Sequence, residues 1–277
     1  MTSVAAQFGI GDISEWAATL TPSNAAQYGD ALRSLAAINT VGSFLLPALF
    51  FIHFFYDLWG FEYLNADRLP RFANFNSGLI WLLCAMPLVQ GCYALNTYLT
   101  VKMGMPANAV ADSFQIGILK MTDYKMLALN LFVVAFLPAL CEEFWFRGVI
   151  QKVLGRSMRS ANMGIWVTAM WFSLYHAQAD GFIPRMLLGA MLGYLAYWSS
   201  SIWTSVVAHF LNNMIPVVAA FYYPEQVLQI GKAAESDNIN ILLVLLSLAF
   251  TVAFGSFLYF INSHNRGEYE ERLVLNV

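Results

Sequence analysis

The length of the apolar runs decides what this chain can fold into. A helix needs about 20 mostly apolar residues to cross roughly 30 Å of hydrocarbon. Runs of that kind recur at about 37–59, 77–100, 127–152, 162–179, 182–198, 201–222 and 239–261, giving seven candidate spans. They are continuous and not alternating, which excludes an outer-membrane barrel. Composition points the same way. Only 11% of the residues are charged, less than half the share of about 25% usual in soluble domains, and 59% are hydrophobic. Those values exclude disordered chains and most soluble classes. A net charge of −3 leaves no electrostatic footprint for a nucleic acid. Cys84, Cys92 and Cys141 sit in apolar runs and read as small buried hydrophobes. Residues 1–20 have no basic n-region and carry Asp12 and Glu15, so no cleavable signal is expected.

The expected fold is therefore all-α, a single polytopic membrane domain over residues 1–277. It has about seven transmembrane helices plus one or two interfacial helices. Residues 23–36 carry Tyr28, Leu32 and Leu35 at helical spacing and read as one interfacial helix, and 105–124 reads as another. Trp59, Trp198 and Trp203 fall near span ends, as in an aromatic belt. Counting lysines and arginines on alternate sides does not settle orientation. The loop at 152–160, with three cations and no acid, favours the cytoplasm for its side.

Ionisable groups at bilayer depth cost about 2.5–3.5 kcal/mol each on insertion scales, so a helix that keeps several needs them. The third span holds Glu142, Glu143 and Arg147 in an otherwise apolar sequence. Glu143 and Arg147 are four apart, share a face and can pair. Glu142 sits about 100° around the helix and is left as a spare carboxylate, which suits general acid–base work. The fourth span contains Phe172 and ends near His176; the sixth carries His209 and, one turn on, Asn213. At 1.5 Å per residue, Glu142, His176 and His209 lie roughly 12–20 Å in from one side, so they can share a layer. His53, alone in the first span, reads as structural, and His264 as solvated. Gly189 and Gly193 allow close packing of the fifth span. Residues 178–185 break the helix after His176 and form the expected wall of a wet cavity.

Glu142-Glu143-x-x-x-Arg147, Phe172-x-x-x-His176 and His209-x-x-x-Asn213, in that order and each on its own span, resemble the three motifs of the CPBP family. These are the CAAX-processing and bacteriocin-processing intramembrane endopeptidases, which include the type II CAAX prenyl protease. The resemblance covers about residues 125–220, the expected catalytic core. It implies an intramembrane glutamic peptidase without a cofactor. By that likeness Glu142 and His176 activate the attacking water, and His209 and Asn213 hold the oxyanion. Glu143, Arg147 and Phe172 support them. The implied partners are the lipid bilayer and a membrane-embedded or membrane-anchored peptide or protein. The expected location is a prokaryotic plasma membrane, as a multi-pass integral protein. Three alternatives stay open: a metal-dependent intramembrane protease using the same carboxylates and imidazoles, a proton-coupled transporter, and a non-catalytic scaffold. Against the metal site stands the absence of any His-Glu-x-x-His spacing.

Overall fold

The computed structural model describes residues 16–17, 19–21, 23–56, 60–105, 109–225, 240–262 and 267. Trp59 and His264 lie outside the described residues. Regular structure is helical throughout those described: α1 (Ala25–Phe55), α2 (Phe72–Lys102), α3 (Ala109–Leu119), α4 (Tyr124–Ser157), α5 (Ala161–Tyr175), α6 (Phe182–Ser199), α7 (Ile202–Tyr222) and α8 (Ile241–Ile261). The protein is an all-α polytopic membrane protein.

Five of these helices, α1, α2, α4, α7 and α8, are long and apolar enough to cross a membrane. The fourth and fifth expected spans form α5 and α6, which fall short of that standard. α5 has 15 residues, a rise of about 22 Å. α6 is buried along most of its length, whereas α5 buries one face and leaves Trp166, Met170, Trp171 and Leu174 exposed on the other. α5 and α6 pack on each other and α6 on α2, around Ile165, Ala169, Leu192, Leu195 and Trp81. Trp198 belongs to this core, its ring 5.1 Å from that of Trp81, and is not part of an interfacial belt.

The expected interfacial helix at 23–36 is not a separate element; it is the first part of the continuous α1. Arg33 explains the difference, because its charge is met inside the bundle. Its Nε donates to Asn130 Oδ1 at 2.6 Å and Nη2 to the Ile118 carbonyl at 2.9 Å. Asn130 Nδ2 donates to the same carbonyl at 2.7 Å, so one arginine ties α1, α3 and α4 together. α3 occupies the second expected interfacial segment, with Gly117 close against Leu32 and the Ala25 carbonyl.

α4 runs for 34 residues, about 51 Å, well beyond the expected 127–152. Two stretches of it are π-helical, Leu131–Phe136 and Phe144–Ile150. They bracket Glu142 and Glu143. π-turns within α-helices are frequent at functional sites, since each re-aims the side chains that follow it.

Candidate active site

Glu143 is the hub. It is fully buried, and its Oε1 accepts from two directions. Arg147 Nη1 donates at 2.7 Å from the next turn of α4, and His209 Nδ1 at 2.8 Å from α7. Arg147 then reaches across to α6, where Nη2 donates to the Gly189 carbonyl at 2.8 Å. That carbonyl is within reach because position 189 is a glycine. A Cβ there would sit 3.2 Å from both Ala169 Cα and Phe172 Cδ1 of α5. The guanidinium also stacks over the Phe172 ring, 4.9 Å from its centre. One carboxylate and one guanidinium thus join four helices.

Phe172 sits between the two histidines. Its ring centre is 5.8 Å from that of His209 and 5.1 Å from that of His176. His176 caps the end of α5, and its Nδ1 is 2.8 Å from the Phe172 carbonyl. A carbonyl only accepts, so Nδ1 carries the proton, and the neutral ring offers its lone pair at Nε2. The same argument applies to His209, whose Nδ1 faces a carboxylate. Its Nε2 points to Glu142 Oε2 at 3.9 Å, too far for a direct hydrogen bond.

Of the residues singled out in the sequence, the fold gathers Glu142, Glu143, Arg147, Phe172, His176 and His209 around this point. Asn213 lies one turn beyond His209, half-buried, and its Oδ1 accepts from Asn212 Nδ2 at 3.2 Å. Among the described residues no group of three or more His, Cys, Asp or Glu side chains is arranged to hold a metal ion.

The contact between Glu143 and His209 is not legible in the sequence, because the partners are 66 positions apart on different helices. Asn96 was missed as well. It lies in α2, is 3% exposed, and uses both ends of its amide. Nδ2 donates to the Ala179 carbonyl at 2.6 Å, and Oδ1 accepts from the Ile183 N–H at 3.0 Å. With Ser173 Oγ donating to the Phe182 carbonyl at 2.6 Å, it stitches down the break that follows His176. Ala177 there holds a left-handed φ of 50°, a conformation uncommon outside glycine. An asparagine inside an apolar span was the available signal.

Residues 124–215 match the family model described as Type II CAAX prenyl endopeptidase Rce1-like. The matched segment begins with α4 and ends two residues after Asn213, so it contains Glu142, Glu143, Arg147, Phe172, His176, His209 and Asn213 but not Asn96. Over that segment the chain is similar to the CAAX-processing endopeptidases, a family of membrane proteases. No curated protein matches this chain. No solved structure matches it either.

Proposed function

We propose that this protein is an intramembrane glutamic-type endopeptidase. It hydrolyses a peptide bond in a membrane-embedded or membrane-anchored peptide or protein, and the description of the matching family favours a lipid-anchored tail. One observation carries the reading. Glu142 and His209 Nε2 face each other across 3.9 Å, while Glu143 holds the other side of the same imidazole. Two adjacent carboxylates therefore have different work, one fixed in an ion pair and one left at the reaction centre.

In this mechanism Glu142, acting together with His176, takes a proton from water. The hydroxide adds to the scissile carbonyl carbon, and the carbonyl π electrons move to oxygen. His209 and Asn213 donate to that oxyanion. His209 donates through Nε2 when both of its ring nitrogens carry a proton. Collapse of the intermediate breaks the C–N bond, and the proton held by Glu142 or His176 passes to the leaving amine. Single positioned acid–base groups contribute about 10²–10⁴-fold.

The test uses the full chain reconstituted in bilayers with membrane-anchored peptides, lipidated and not, and reads new peptide ends by mass spectrometry. Glu142→Gln is expected to lower cleavage by at least about 10²-fold with the fold intact. Undiminished cleavage by Glu142→Gln overturns the assignment. Loss of activity to chelators with recovery on added zinc puts a metalloprotease in its place.

A further inference from the structure

Asn213 can serve an oxyanion with only one end of its amide. Nδ2 carries two hydrogens to donate, while Oδ1 only accepts. The two ends are nearly equal in size, and a half-turn about χ2 exchanges them. Packing alone therefore does not choose the orientation. An amide turned the wrong way sets its oxygen against the oxyanion and repels it.

Asn212 makes that choice by chemistry. Its Nδ2 donates to Asn213 Oδ1 at 3.2 Å, which occupies the accepting end and leaves the donating end free. Among the described residues no acceptor takes a hydrogen bond from Asn213 Nδ2. Both asparagines are half-buried on α7, in the turn that follows the buried His209. Neighbours in a straight helix point about 100° apart, so a bridge between positions 212 and 213 is not a product of helical spacing. Pro216 lies one turn on. It has no N–H for the Asn212 carbonyl, and its ring crowds that oxygen. The turn that carries both amides is thus one ladder bond short, and the side-chain bridge lies on it.

We propose that Asn212 is a positioning residue, which fixes the Asn213 amide with Nδ2 towards the reacting carbonyl oxygen. The proposal rests on the oxyanion role given to Asn213 above. Asn212 touches no reacting atom itself; it acts by holding Oδ1 away from the reaction centre. Turnover then scales with the fraction of molecules whose amide faces the right way.

The test is a double-mutant cycle in the full chain, reconstituted in bilayers with the membrane-anchored peptide that the wild type cleaves fastest. Asn212→Leu removes the donor at similar size. Asn212→Asp is isosteric but, when ionised, only accepts, so it draws Asn213 Nδ2 to itself and turns the amide over. Asn212→Leu is expected to lower kcat about fivefold, the amide then facing the right way in a minority of molecules. Asn212→Asp should lower it at least about tenfold, up to the roughly 10²–10³-fold of a lost oxyanion donor. KM and the melting temperature should stay close to wild type in both, which a bond that only held the helix together would not allow. In an Asn213→Ala background, Asn212→Leu should change kcat by less than about twofold, because no amide is left to orient. Wild-type kcat in both Asn212 variants overturns the inference and leaves the role of Asn213 standing. So does a loss in Asn212→Leu that is equally large in the Asn213→Ala background, since Asn212 would then act on its own. Wild-type kcat in Asn213→Ala overturns the oxyanion role itself, and the inference with it.

Discussion

α4 and α8 are both long, apolar helices of this bundle, and they use polar groups for opposite purposes. α8 has the higher mean hydropathy, 2.5 against 1.8, and carries no acidic or basic residue between Ile241 and Ile261. Its polar side chains serve one neighbour. Pro87 interrupts α2, and the Ser247 hydroxyl inserts at the break, accepting from the Leu88 N–H at 3.1 Å and donating to the Cys84 carbonyl at 2.6 Å. The Thr251 carbonyl accepts from Trp81 Nε1 at 2.8 Å, and Gly255 leaves room for that indole. At the centre of α4 the buried polar pair, Glu143 and Arg147, is charged, and it meets α6 and α7. A hydroxyl repairs a backbone bond at little desolvation cost. A buried charge must find a counter-charge and further donors or acceptors, so it organises every helix that supplies them.

That contrast can be broken by experiment, and the largest effect is expected at the ion pair. Arg147→Ala leaves Glu143 buried without its cation and should cost about 3–5 kcal/mol. The yield of folded protein in detergent should fall well below that of Glu142→Gln. Equal yields from the two variants would show that α4 tolerates loss of its charges as α8 tolerates loss of a hydroxyl.

Asn213→Ala comes next. Removing one oxyanion donor costs about 2.7–4 kcal/mol of transition-state stabilisation, or 10²–10³ in turnover. Steady-state kinetics should show kcat reduced and KM nearly constant. A change confined to KM would place Asn213 in substrate binding instead.

Asn96→Leu should have a smaller effect, about 2 kcal/mol from two lost hydrogen bonds. Because the break it holds follows His176, turnover should fall more than thermal stability does. Ser247→Ala should be the mildest, about 0.6–1.7 kcal/mol, the range measured for interhelical hydrogen bonds in membranes. It should lower the melting temperature slightly and leave cleavage unaltered. Loss of cleavage in Ser247→Ala would mean that α8 is coupled to the site through α2, and the contrast would need redrawing.

The all-α membrane architecture was legible in the apolar runs, because a backbone in hydrocarbon has to satisfy its own hydrogen bonds and a helix does so locally. The positions of the long helices followed from the same argument, and so did the adjacency of Glu143 and Arg147, which needs only the pitch of one helix. The three motifs pointed to Glu142, His176, His209 and Asn213 before any coordinates.

What the sequence could not show was which group faces which. Its reading paired Glu143 with Arg147 and stopped there; in the folded chain the same oxygen also holds His209. The segment at 23–36 read as an interfacial helix from the spacing of Tyr28, Leu32 and Leu35; in the fold it is the first part of α1, and only the fold brings Asn130 and the Ile118 carbonyl to Arg33. α5 looked like an ordinary span because an apolar run places helix ends only to within several residues, and the break at His176 shortens the helix to 15 residues. Local periodicity is written in consecutive residues. The pairing of charges across α4, α6 and α7 depends on crossing angles and rotamers set by the packing of the whole bundle, and those have no local code.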